Sequence, residues 1–302
     1  MKISHTTRTF YLLISPWSVM FFFLNVFPML YSFYLSLTRF DGISAPRFTG
    51  LKNYTQLLTD YRFLSSLYNT LRFTFLNVVF SLIAGFLIAY LLNRDIKAKR
   101  LLRSIFFIPY AVPVIATVFI WKTILNRESG LINIIIDLFN PNLTQNLLVD
   151  HPTLSLITMF VWQCGGSMVV FLAGLQGIPK ELLEAADIDG ANTVFILKNI
   201  TLPLMSPIIL YQTVVGIMLS FSVIVQPILL TSSPGAAFTA FLNQQPPFQN
   251  YFTIIYAFQQ CFTNQSFGYG MAVVWLMFIV ILVVTFIFLK VSNKLVYYEY
   301  EQ

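Results

Sequence analysis

The chain has 302 residues, 57% of them hydrophobic and only 10% charged, with a mean hydropathy of +0.74. Soluble domains carry about a quarter charged residues, so this composition excludes a compact globule solvated by water alone and makes lipid the solvent for much of the surface. The net charge of +6 would point to nucleic acid only if basic residues clustered on one face; they are instead spread between apolar runs, which indicates membrane topology and no nucleic-acid partner.

A membrane span needs about 20 mostly apolar residues, and six stretches qualify: 10–37, 73–92, 104–124, 154–175, 204–230 and 271–289. The expected fold is all-α and integral to the membrane, with residues 1–302 as one polytopic domain. Lys2 and Arg8 precede the first stretch like a signal-peptide n-region, but the apolar run is too long for an h-region and no small-residue cleavage site follows. It reads as an uncleaved span. The first and fifth stretches exceed the hydrocarbon thickness and should tilt or extend beyond it. Pro16, Pro28, Pro109, Pro113, Pro207 and Pro227 lie in or near spans, where neighbouring groups can satisfy the carbonyls that proline frees.

Lys and Arg near the span ends set orientation. With six spans, eleven fall on the side of the amino terminus and seven on the other. The dense run Arg94, Lys97, Lys99, Arg100 and Arg103 decides for cytoplasmic termini. The segment 231–270 has no charged residue and reads as an outward loop. Cys164 sits in an apolar stretch and Cys261 in that polar segment. Two isolated thiols make neither a metal site nor a disulfide framework.

After the fourth stretch comes IPKELLEAADIDGANTVFILKNITLPLMSP, residues 178–207. Pro179 suits a first helical turn, and Glu181 and Glu184 favour its positive end. Gly190 permits the left-handed turn that ends a helix. A second short helix, 191–199, fits before Pro203. An interfacial helix lying on lipid would show Lys or Arg on its polar face. This one shows Glu181, Glu184, Asp187 and Asp189, a poor match for an anionic leaflet.

The fixed positions Glu184-Ala185-Ala186, Gly190, Ile200, Leu202 and Pro203 resemble the EAA loop of bacterial ATP-binding-cassette importer permeases. Residues 48–74, 106–125 and 171–191 resemble the sugar-permease branch that includes the maltose and glycerol-phosphate systems, and 15–42 the first permease of such pairs. The resemblance implies a type I importer fold in the bacterial inner membrane. The chain would be one half of an alternating-access pore for a sugar, oligosaccharide, glycoside, polyol or glycerol phosphate. It implies as partners a second homologous permease, a dimeric cytoplasmic ATPase and an extracytoplasmic substrate-binding protein. ATP and Mg would sit on the ATPase and no cofactor on this chain. The loop 178–203 would couple to the ATPase through Glu184, Ala185, Ala186, Asp187, Gly190, Leu202 and Pro203.

Intramembrane polar residues are candidates for the transport pathway: Asn77 and Ser81, then Gln163 and Ser167, then Gln212, Thr213, Ser220, Ser222 and Gln226, with Trp162 and Tyr211 able to stack on a sugar. The competing role is hydrogen bonding between helices, worth about 0.6–2 kcal/mol each. No catalytic or metal site is expected. The phosphate loop Gly-x-x-x-x-Gly-Lys-Ser/Thr, Gly-x-Ser-x-Gly and His-Glu-x-x-His are all missing from the sequence. The alternative function is an ion-coupled secondary transporter or a channel subunit. Ion-coupled transporters place charges at mid-membrane, whereas Arg72 and Lys122 lie near span ends.

Overall fold

The computed structural model describes residues 5–139, 146–231 and 247–292. Lys2, Lys294 and the part 232–246 of the uncharged segment lie outside them. The chain divides into two compact units. One comprises Met1–Leu64 and Tyr256–Phe278, the other Ser65–Ile255 and Ile279–Gln302.

The first unit opens with α1 (His5–Phe21), a π-turn (Phe22–Val26) and α2 (Phe27–Ser36). The wide turn falls just before Pro28, whose missing N–H breaks the regular hydrogen-bond ladder. Within this run, Thr9–Ser36 is a 28-residue apolar helix whose most apolar window buries no residue. A two-strand ribbon follows, β1 (Thr38–Arg39) antiparallel to β2 (Arg47–Phe48), with Thr38 opposite Phe48 and Arg39 opposite Arg47. Then comes α3 (Lys52–Thr59), which buries Leu57. The ribbon lies against the start of the last helix. The N–H of Gly268 donates to the Phe40 carbonyl at 3.1 Å, and a Cβ on Gly268 would overlap the Thr38 carbonyl oxygen.

In the second unit, α4 (Tyr61–Asn93) is 33 residues long, about 50 Å against a hydrocarbon core of about 30 Å. The expected span 73–92 is its last part. The helix starts earlier because Asp60 caps it: Asp60 Oδ1 accepts from the Arg62 N–H at 2.9 Å. The third stretch is broken rather than continuous. α5 (Lys99–Ala111) and α6 (Val114–Ile124) meet at 99°, because Pro113 holds Val112 extended, ψ 131°. The fourth bends by 47° between α9 (Pro152–Trp162) and α10 (Gly165–Gln176). Gly165 is needed there, since a Cβ would overlap the Phe106 carbonyl oxygen of α5. The fifth stretch breaks after Ser222 into α13 (Leu202–Phe221) and α14 (Val225–Thr231), the new helix taking Pro227 in its first turn. Between these pieces lie α7 (Leu131–Phe139), α8 (Leu147–Asp150), α11 (Lys180–Ile188) and α12 (Thr193–Ile196).

Among the described residues, four helices are long and apolar enough to cross a membrane, and six spans result if each of the two bent pairs is one. Two apolar cores hold the second unit. Phe73, Val118, Leu156, Ile228 and Phe252 make one. Ala89, Leu92, Phe171, Leu175 and Met205 make the other, with Leu102 and Ile178 packed against it. The second core gathers the end of α4, the start of α5, the end of α10 and the start of α13. It therefore brings the basic run 94–103 and the acidic loop 178–203 to the same end of the unit.

The uncharged segment 231–270 is not simply a loop. Its described part holds a 3-10 turn (Phe248–Asn250), α15 (Thr253–Phe262) and the start of α16 (Phe267–Ser292). Thr253, Ala257 and Cys261 recur at helical spacing and are buried, so Cys261 belongs to a helix, not to a polar loop. Burial pushes its thiol up to about 11.

Candidate functional site

The loop 178–203 forms a short bracket. Pro179 is extended, ψ 129°, and α11 follows it, with Glu181 in the first turn. Its small face turns inward at Ala186, which is buried. Gly190 closes the helix with φ +76°, while the N–H of Ala191 donates to the Ala186 carbonyl at 3.0 Å. Asn192 caps the next helix: its Oδ1 accepts from the Phe195 N–H at 2.8 Å. The sequence suggests a second helix that ends before Pro203. Instead α12 runs through a π-turn (Leu197–Thr201) into α13, and Thr193–Phe221 is one helix. This wide turn again sits just before a proline, Pro203. The bracket's outer surface is apolar: Ile188 is 87% exposed, Val194 70% and Phe195 53%. Exposed apolar side chains beside a short acidic helix mark a surface for contact with a protein or a membrane. Glu184, Ala185 and Asp187 are exposed on it, and Leu202 and Pro203 are half-buried at its base.

The polar residues of the spans fall into two groups. Asn77 is buried, its Nδ2 donating to Ser220 Oγ at 3.0 Å, and Ser81 Oγ donates to Asn77 Oδ1 at 3.3 Å. Gln163 Nε2 reaches the Pro109 carbonyl at 3.3 Å and Thr117 Oγ1 at 3.2 Å, across the two helix breaks. Thr213, Ser167 and Ser222 return their hydroxyls to their own helices, at the carbonyls of Ile209, Cys164 and Met218. Gln212 is buried. These contacts tie helices and turns together. Tyr211 and Trp162 are exposed and Gln226 is half-buried; Trp162 stands edge-on to Trp121 at 6.1 Å.

The first unit also holds a cleft of about 1080 Å³ that the pattern of spans does not foretell. Arg39, Arg47 and Lys52 line it together with Asp41, Asp60 and the amides of Gln260, Asn264 and Gln265, at and just past the end of α15. Tyr256 and Tyr269 both donate to Asp60 Oδ2, the latter at 2.7 Å. Burial alone would push the Asp60 carboxyl up. The two phenols and the N–H groups of Phe63 and Arg62 outweigh it, so its pKa lies below the ordinary value. Asp41 is held down at about 2, first by the Ser44 hydroxyl and then by the N–H groups of Ile43 and Ser44. The signal in the sequence is the basic segment after the first apolar stretch, with Arg39, Arg47 and Lys52, which carries no apolar periodicity and so says nothing of the helix that completes the cleft.

Residues 77–296 match the family described as binding-protein-dependent transport system inner membrane component. The chain is similar to the probable ABC transporter permease protein YesP of Bacillus subtilis, with 32% identity over 96% of this chain and 92% of that one. It is also similar to the arabinooligosaccharides transport system permease protein AraP of the same organism, with 33% identity over 94% and 88%. The trehalose/maltose transport system permease protein MalF of Thermococcus litoralis shares 31% identity over 94% and 93%. Among solved structures, a bacterial ABC transporter involved in the import of the acidic polysaccharide alginate superposes with TM-score 0.78 at 18% identity, covering 95% of both chains.

Proposed function

Because the chain belongs to the family of binding-protein-dependent transport system inner membrane components, and so is a permease subunit of an ATP-binding-cassette transporter rather than an enzyme, we propose that it imports a carbohydrate and couples to its ATPase through the bracket 178–203. The observation that carries the coupling is the bracket itself, a capped acidic helix ended by Gly190 and flanked by exposed Ile188, Val194 and Phe195. Docked in a cleft of the ATPase subunit, it would pass the closure of the ATPase pair to α13, with which α12 is continuous. Through the continuous helix Thr193–Phe221, a displacement at the bracket would become a displacement of a membrane helix.

The relatives named for arabinooligosaccharides and trehalose/maltose support a sugar cargo here. The partners follow from the same reading: a second permease subunit, two copies of a cytoplasmic ATPase and an extracytoplasmic binding protein. The orientation is the one with both termini in the cytoplasm. It is supported by the shared end of the basic run 94–103 and the bracket, since Lys and Arg favour the cytoplasmic side and the ATPase is there. ATP and Mg belong to the ATPase.

ATP hydrolysis by the assembly in lipid tests this reading, with its binding protein and a panel of oligosaccharides, glycosides and glycerol phosphate. Stimulation by one sugar, abolished by Gly190→Pro, is the expected result. Hydrolysis indifferent to every sugar would remove the cargo assignment, and full stimulation in Gly190→Pro would remove the coupling role of the bracket.

A further inference from the structure

The first unit's cleft carries an electrostatic conflict. Arg39 and Arg47 face each other directly across the two-strand ribbon, both exposed, and Lys52 joins them at the start of α3. Like charges directly opposite on a ladder destabilise it. The carboxylates in the same cleft do not relieve this. Asp41 accepts from Ser44 and Ile43, and Asp60 from Tyr256, Tyr269 and the first N–H groups of α4. Among the described residues, none of the three cations is paired with a carboxylate. The Gly268 contacts fix the ribbon in place, so the Cα positions of Arg39 and Arg47 stay opposite each other.

We propose that this cleft binds an acidic carbohydrate, an oligosaccharide with uronate carboxylates. A guanidinium fork matches the planar carboxylate bidentately, and an anion held between Arg39 and Arg47 offsets their mutual repulsion. The lining also includes Gln260, Asn264 and Gln265, amides suited to hydroxyls. The volume of about 1080 Å³ suits several sugar units, since ligand sites of roughly 300–1,000 Å³ already hold drug-sized molecules. Concavity and amides favour a saccharide over an acidic protein segment. The choice of a carbohydrate rests on the importer reading above, whereas the charge complementarity does not.

The test is equilibrium binding to the full chain copurified with its partner subunits in lipid nanodiscs, without the binding protein. The probes are an oligogalacturonide of three units, its carboxyl-reduced neutral counterpart and a poly-glutamate peptide of equal charge. The oligogalacturonide should bind, weaken with added salt, and lose at least tenfold in affinity in the double variant Arg39→Gln, Arg47→Gln. Arg62→Gln, a cation outside the cleft, should leave affinity unchanged. The double variant should melt no lower than the parent, because it removes a repulsion, and this separates loss of binding from loss of fold. Equal binding of the neutral counterpart, tighter binding of the peptide, no binding at all, or an unchanged affinity in the double variant would each overturn the proposal. A chain that binds the oligogalacturonide but shows no ATP-driven uptake of any sugar would keep the cleft and sink the importer reading instead.

Discussion

Gly190 offers the sharpest separation between conformation and contact. Its φ is +76° and a Cβ placed there meets nothing within 4 Å. Alanine therefore meets no clash in this chain, and its cost is the left-handed backbone alone, about 1–2 kcal/mol for an L-residue with a Cβ. Asparagine tolerates that region better, and valine, being β-branched, tolerates it worst. If the turn at 190 sets the geometry that the ATPase subunit grips, the penalty weakens docking by about five- to thirtyfold for alanine. The order of affinity should then be Gly, Asn, Ala, Val. If steric approach of the ATPase governs instead, side-chain size decides, and Ala should surpass Asn. The assay is the affinity of purified ATPase subunit for permease in nanodiscs, measured beside sugar-stimulated hydrolysis. A Gly190→Asn variant as weak as Gly190→Val, with Gly190→Ala near the parent, would refute the conformational argument.

Three further outcomes follow from the same geometry. Asn192→Ala removes the cap of α12 and should cost about 1 kcal/mol, seen as faster amide exchange at Thr193–Phe195 with the rest of the chain unchanged. Asn77→Leu and Ser220→Ala should be coupled by about 0.6–2 kcal/mol in a double-mutant cycle of unfolding in detergent, while each single variant keeps the parent's sugar selectivity; altered selectivity would return these residues to the transport path. Asp60→Asn should destabilise the first unit by about 1–3 kcal/mol through weaker bonds from Tyr256 and Tyr269. Its folded pKa lies below the ordinary 3.8, so its stabilisation is complete above that value and is lost as pH falls through the lower one. The contribution of Asp60 to thermal melting should thus be complete and independent of pH between pH 5 and 8, and the Asn variant should converge on the parent only in strong acid.

Much of the membrane character was legible because hydropathy is a sum over long windows, insensitive to detail. The breaks were not. Pro113 turns a chain by 99°, whereas Pro109 sits inside α5 and Pro207 inside α13. Composition alone does not distinguish them, since the outcome depends on whether neighbours satisfy the freed carbonyl. The π-turns before Pro28 and Pro203 have the same origin. The bracket was legible at Pro179 and Gly190, where single residues dictate backbone geometry. Its apolar outer surface at Ile188 and Val194 was not, because an exposed apolar residue looks like a core residue in sequence. Asn77 and Gln163 read equally well as ligands or as ties between helices, and their hydrogen-bond partners at Ser220, Pro109 and Thr117, far away in the chain, are not legible in any local pattern. The cleft joins residues 39–60 to 256–269, a separation no local pattern spans.

The central claim is that ATP hydrolysis on a partner subunit drives sugar through a pore that this chain helps form. Uptake of labelled sugar into proteoliposomes tests it most directly, with the complete assembly, its binding protein outside and ATP enclosed, in the presence of ionophores that collapse all ion gradients. The account predicts accumulation against the sugar gradient that requires ATP and the binding protein and survives the ionophores. Accumulation that needs no ATP and vanishes with the ionophores would contradict it and would assign the chain to ion-coupled transport.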